Sequence, residues 1–429
     1  MEFAARADVI TMRDVSDGIR KSIPRPVASA RLALLIAALS AVGPFAVDTY
    51  LPSLPEMART LGVSQLAVQQ SLTAYMVPFA LMSLWHGAIS DALGRRRVVL
   101  WGSALFGVAS ILCAFATSIE WLIALRVLQG MVAGAGMVVG RAIVRDLLDG
   151  PEAQRMMAHV NMAFAVAPAV APIIGGWLHH WFGWESVFWF LGAYAGGIWV
   201  FCRNLLPETL PVERRTSLRP RALLAGYVKV LGSGRFLALG VASTCNFLAI
   251  FVYIVSAPVF LMTHLGVGET DFLWLFGPTT AGMLVGAWLS GRLAHRLSGR
   301  ATIWIGYGIM GTAAAANVAM NSTGAVALPW AILPFPLYTI GMSMTFPSLT
   351  LLALDLFPER RGMAASCQSF IQTTGSAVTA AVLAPLLWGA TRSLALGGAA
   401  LTCAGFAGFL LFRSLRAPSV TPTRASSAG

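Results

Sequence analysis

The chain has 429 residues, of which 57% are hydrophobic and only 11% charged, against roughly 25% charged residues in an ordinary soluble domain. That balance excludes a water-soluble globular protein, so the net charge of +12 has to be read by position before it is read as nucleic-acid affinity. No Walker A loop, H-E-x-x-H or G-x-S-x-G occurs; an enzyme is not expected, and neither a metal nor a cofactor is implied.

Residues 1–31 mix basic and acidic groups without an apolar centre, and are read as a cytoplasmic segment ahead of an uncleaved first span. Twelve apolar runs come after it, at about 32–51, 69–89, 98–117, 121–144, 157–181, 184–205, 236–262, 272–294, 301–320, 326–354, 363–388 and 393–413. Each is long enough to cross a hydrocarbon core of ~30 Å at ~1.5 Å per helical residue. Runs such as "LIAALSAVGPFAV" lack the dyad alternation of a membrane β-barrel, so the fold class expected is an all-α integral membrane protein.

The runs divide into six (32–205), a basic connector (206–235) and six more (236–414), with a disordered cytoplasmic tail at 415–429. Two six-helix bundles around a central cavity are the expected layout. All but three of the 30 Lys and Arg, namely Arg59, Arg126 and Arg392, fall in the termini and alternate loops; the positive-inside rule then puts both termini in the cytoplasm. Cys113, Cys202, Cys245, Cys367 and Cys403 lie in apolar runs without CxxC spacing, as free buried thiols.

In chain order, the first candidate is Asp48, in "AVGPFAVDTYLPSLP" (41–55), just before prolines that should end span 1. An ionisable group inside a span costs ~2.5 to 3.5 kcal/mol even on insertion scales, which calls for a partner or a task. The other is Arg126 in span 4; counting about 1.5 Å per residue puts the two at matching depth. In "GAISDALGRRRVVL" (87–100), Gly87 permits close helix approach and Gly94 a turn, while Asp91 can pair with Arg95 or face a helix N-terminus. "GRLAHRLSGR" (291–300) echoes it after span 8. Arg141, Arg145 and Asp146 at the inner end of span 4 read as an ion pair or gate. Pro168, Pro172, Gly175 and Gly176 would bend span 5 and let it pack closely. Tyr75, Gln129, Asn161, Asn246, Tyr253, Tyr338, Gln368 and Gln372 are polar or aromatic positions within spans, either helix-packing hydrogen bonds or substrate contacts.

These motifs carry a resemblance. "GAISDALGRRRVVL" resembles the loop signature of the major facilitator superfamily, with Ala88 where a Pro is common. Arg126, Gln129 and Gly130 in "LRVLQGMVAGAGMVVGRAIVRD" (125–146) resemble its fourth-helix motif. "APAVAPIIGGWL" (167–178) resembles its fifth-helix antiporter motif, with Ala171 in place of a Gly. Together with "VDTYLPSLPEMARTLGVS" (47–64), "RMMAHVNMAFAVAPAVAPIIGGWL" (155–178) and "PETLPVERR" (207–215), the first half is similar to the Bcr/CflA drug-resistance subfamily, exporters of bicyclomycin and chloramphenicol.

The resemblance implies alternating access, with spans 1, 4, 7 and 10 lining the cavity and Asp48 and Arg126 on its walls. It also implies a latch through Gly87, Asp91, Gly94 and Arg95 that reaches span 11 near residues 360–366 and holds the outward-facing state. The implied protein is a drug:proton antiporter of a bacterial inner membrane, a monomer whose partners are a small amphipathic molecule, protons and lipid, with no nucleic acid. Alternatives stay open here. Asp48 is either the proton carrier or a static, wetted carboxylate beside Arg126; the transporter is either an exporter or a metabolite importer or facilitator; and a membrane sensor of the same fold stands behind both.

Overall fold

In the computed structural model the described residues are 25–148, 150–293, 296–322 and 327–415. The expected N-terminal segment up to residue 24 and the tail from 416 lie outside them, as do the side chains of several residues between 150 and 165, Asn161 among them.

Every regular element among the described residues is helical. Twelve long helices run in sequence: α1 (Arg25–Asp48), α2 (Gln65–Leu93), α3 (Arg95–Ala114), α4 (Ile119–Leu147), α5 (Gly150–Phe182), α6 (Glu185–Leu205), α7 (Gly234–Val255), α8 (Leu273–Leu293), α9 (Gly299–Ser322), α10 (Pro334–Asp355), α11 (Arg361–Val378) and α12 (Thr391–Ser414). Among the described residues, ten helical stretches are both long and apolar enough to cross a membrane. The remaining two, α5 and α8, have 33 and 21 residues and complete the alternation. Lipid-facing positions are themselves apolar: Leu81, Trp101, Leu105, Val108, Trp288 and Leu386 are all exposed.

Local chemistry sets the helix ends. Ser64, Ser118 and Ser233 cap α2, α4 and α7 by accepting from the backbone N–H of Ala67, Trp121 and Phe236, which satisfies donors that have no partner inside the helix. After Asp48 the chain turns, and the prolines that end α1 also start the two short elements beyond it. Pro52 opens a single turn at Leu51–Ser53, and Pro55 opens a short helix, Leu54–Thr60, because a missing N–H costs nothing in a first turn. The connector contains a helix the composition did not announce, Pro220–Leu231. All five cysteines are free; Cys113, Cys202 and Cys367 are buried, but Cys245 is half-buried and Cys403 exposed, since their sides of α7 and α12 face partly outward and an apolar thiol is at ease in lipid.

The pairing of helices is duplicated. In the first half α2 packs on α4, α3 on α4 and α6, and α1 on α4 and α5; in the second α8 packs on α10, α9 on α10 and α12, and α7 on α10 and α11. Contacts between the halves run through α2 with α11 and α5 with α8, two pairs that exchange when the halves are exchanged.

The α5 seam depends on adjacent glycines. A Cβ on Gly175 would overlap the Thr49 carbonyl at the end of α1, and one on Gly176 would overlap the Glu269 carbonyl in the loop before α8. The pair thus lets one helix touch both halves with its backbone, the close approach that small residues permit in lipid. Gly175→Val is expected to lower the stability of the detergent-solubilised protein by about 1 to 3 kcal/mol, the usual cost of overpacking. Thermal unfolding measures it, and an unchanged midpoint would contradict this packing.

Candidate functional site

Arg126, on α4, is fully buried, and neutral groups hold it. Its Nη1 donates to Gln129 Oε1 at 2.9 Å and its Nη2 to the Ala46 carbonyl of α1 at 3.0 Å. The guanidinium lies over the rings of Tyr50 and Tyr75, 4.8 and 4.7 Å from their centroids. Gln129 is fixed in turn by donating to Ser110 Oγ at 2.8 Å, which ties α4 to α3. Tyr50 anchors the turn after α1 to α2 through its hydroxyl and Ser71. A planar cation between two aromatic faces, with donors directed at a carbonyl and an amide, is geometry suited to arginine rather than lysine.

The carbonyl that Arg126 takes is two residues from Asp48, so the matched depth is real. The ion pair is not formed: Asp48 is buried, and no hydrogen bond or ion pair holds its carboxylate among the described residues. Tyr75 lies within electrostatic reach of both Arg126 and Asp48, and its buried hydroxyl has no hydrogen-bond partner. Three sequence candidates, Arg126, Gln129 and Tyr75, are thus brought together around α1, α2 and α4, with Asp48 at their edge. Tyr50 and Ser110 complete the group, and neither carries a local sign of this role in the sequence.

At the end bearing the arginine-rich loops, Gly94 takes φ 98 between α2 and α3, a conformation that favours glycine. Arg95 pairs with Asp91 and, through Nε, with Asp146 Oδ2 at 3.2 Å. The backbone N–H of Arg95 donates to Glu208 Oε1 at 2.9 Å, and Thr209 donates to Asp146 at 3.0 Å. Asp146 is thereby joined to α3 and the exit from α6. Arg141 and Arg145 have no ion pair among the described residues, and Arg141, well inside α4, is exposed.

Asp91 is paired within its own half, and the connector helix lies between it and α11. Tyr227 donates to the Leu84 carbonyl of α2 at 2.5 Å, while Gly226 faces Met363 of α11. Burial pushes the Tyr227 hydroxyl up to about 12, with Cys367 and Asp91 adding to the rise; it stays a donor throughout the physiological range.

In the second half the candidates tie helices to one another. Asn246 donates to the Tyr307 hydroxyl at 3.0 Å, Tyr338 to the Asn246 carbonyl at 2.9 Å, and Asn317 to the Tyr253 hydroxyl at 2.8 Å. Gln368 on α11 reaches Thr350 Oγ1 at 3.1 Å on α10. Gln372 is half-buried. Pro168 and Pro172 lie inside the continuous helix α5. At the end opposite the basic loops the halves meet: Gln70 donates to the Ala381 carbonyl at 3.0 Å, and His179, near the end of α5, lies between Glu56 and Glu269.

Two duplicated helical halves, ion-paired at their loops and lined with polar groups inside apolar helices, define a multi-pass membrane transporter rather than an enzyme. Residues 34–380 match the Major Facilitator Superfamily, and the chain belongs to that family. It is 31% identical over 357 residues to Multidrug resistance protein D of Escherichia coli K12, covering 83% of this chain and 89% of that one. Against the MFS-type transporter YdgK of Bacillus subtilis it is 33% identical over 354 residues, with 80% and 86% covered. The fold is also that of the human organic anion transporter MFSD10, with a TM-score of 0.65 at 20% identity over 91% of this chain and all of that one.

The Arg126 pocket makes a prediction. Tyr50→Phe removes a bonded hydroxyl and should cost about 1 kcal/mol, whereas Tyr75→Phe removes an unpartnered one and should be close to neutral. Thermal unfolding of both variants decides it, and equal losses would contradict the assignment.

Proposed function

We propose that the protein is a proton-coupled exporter of small amphipathic compounds, a drug:proton antiporter of the Bcr/CflA kind, working by alternating access in a bacterial inner membrane. The observation that carries this reading is Asp48, a buried carboxylate with no ion pair among the described residues, close to a fully buried Arg126 whose hydrogen bonds go to neutral groups. A carboxylate in that position is costly as an anion and free to take a proton. Arg126, two residues away in depth, favours the charged form of Asp48 when it comes close and releases it when the bundle rocks.

The similarity to Multidrug resistance protein D over most of both chains supports export of drugs as the task. The basic loops support a cytoplasmic placement of that end and of both termini. The halves then meet at the outer end, through Gln70 with Ala381 and His179 with Glu56 and Glu269. In that orientation these contacts close the outer end.

Expression of the native protein in a susceptible bacterial host should raise resistance to at least one amphipathic drug. Asp48→Asn, at equal membrane level, should abolish the gain. In everted vesicles, adding that drug should dissipate a pre-formed pH gradient with the native protein, and Asp48→Asn should fall to the level of empty vesicles. Full proton-driven export by Asp48→Asn would sink the reading.

A further inference from the structure

We propose that His179, with Glu56 and Glu269, forms a second proton-binding site, and that its proton holds the two halves together at the end opposite the basic loops. His179 is buried in the last turns of α5. Its Nδ1 lies 3.0 Å from Glu56 Oε2, on the short helix after α1, and its Nε2 lies 2.8 Å from Glu269 Oε2, in the loop before α8. One imidazole thus lies at ion-pair distance from a carboxylate of each half, although Nδ1 is out of hydrogen-bond line with Glu56.

Charge balance makes the arrangement depend on the proton. An imidazolium carries an N–H on each nitrogen and a positive charge between the two carboxylates. A neutral imidazole keeps one N–H, turns a lone pair toward the other carboxylate and leaves two half-exposed negative charges on either side of a buried ring with no positive charge between them. Losing the proton converts a bridge into a repulsion. The position suits the cation in a second way: His179 is three residues from Phe182, where α5 ends, and a helix C-terminus favours positive charge.

The bridge also sits where the halves come closest. Three residues before it, Gly176 brings the α5 backbone against the Glu269 carbonyl. Pushing Glu269 away from His179 therefore strains the contact that closes this end. On the elements packed around His179, the other titratable or charged groups are Arg59 beside Glu56, His180, Glu185 at the start of α6, Asp271 after Glu269, and Asp48 at the end of α1; none is ion-paired to His179. Asp48 belongs to one half alone, so the two sites are separable.

Because the protonated form favours closure, acid favours closure and rising pH weakens it. With the orientation proposed above, this end faces outside, and a proton entering there closes the carrier behind itself. The lock itself does not depend on that orientation.

The test is double electron–electron resonance between nitroxides on the exposed positions Thr60 and Thr263, introduced as T60C and T263C in a background without native cysteines. The protein is held in lipid nanodiscs between about pH 5 and about pH 9, a range that spans histidine titration. The native protein should show the short distance in acid and a growing longer population as pH rises. His179→Gln should show the longer population throughout. His179→Arg should stay short throughout, because a guanidinium keeps its charge across this range. Asp48→Asn, linked to the rocking, can shift the resting population but should still show a pH step. Should His179→Gln fail to fold, Glu269→Gln must still reduce the amplitude of the step. A native protein with no pH step, a His179→Gln variant that keeps it, or its loss in Asp48→Asn would overturn the proposal.

Discussion

A guanidinium that never loses its charge has to be accommodated inside a helical bundle surrounded by lipid, and the first half is built around the way this is done. Insertion of such a group costs ~2.5 to 3.5 kcal/mol. Against this stand two hydrogen bonds from Arg126 to Gln129 and Ala46 and two ring contacts, to Tyr50 and Tyr75. All of these partners are neutral. Arg126 needs no carboxylate, and the consequence is that Asp48 is left unpaired within a few residues of a fixed positive charge.

The same contacts arrange the helices. Arg126 takes a carbonyl of α1, Tyr50 after α1 reaches Ser71 of α2, and Gln129 reaches Ser110 of α3. With no water in hydrocarbon to reward apolar contact between helices, such polar ties and close backbone packing are what hold a bundle together. The second half uses neutral ties instead, Asn246 with Tyr307 and Asn317 with Tyr253. That contrast places the permanent buried charge, and the carboxylate beside it, on one side of the transport axis.

The two ends of the molecule are also chemically unlike. At the basic end the ion pairs Arg95 with Asp91, Arg95 with Asp146 and Arg215 with Glu208 lie within the first half and the chain leaving it. A connector helix touching both α2 and α11 lies between the halves there. At the other end the halves meet directly, along α5 with α8 and through Gln70 with Ala381. Rocking about such a structure exchanges a backbone-to-backbone seam for whatever closes over the connector.

Much of this was legible in the residues. Helix number and class came from run lengths and charge spacing, the Gly94 turn from its place between Leu93 and Arg95, and the shared depth of Asp48 and Arg126 from counting residues. The features that were not legible depend on partners distant in sequence. Nothing local marks Tyr50 rather than Asp48 as the group lying against Arg126, or Arg95 rather than Arg145 as the partner of Asp146. His179 reads as one of two histidines ending an apolar run, and only folding brings Glu56 and Glu269 to it. The connector helix was missed because a short amphipathic helix amid basic residues has neither the length nor the hydropathy of a span.

In the proposed mechanism Asp48 gives up a proton when substrate binds. The most direct measurement is proton release from purified protein in weakly buffered detergent solution, on addition of a drug to which the native protein confers resistance. The native protein should release protons stoichiometrically and Asp48→Asn none, while that variant still binds the drug. Undiminished release from Asp48→Asn would contradict the mechanism.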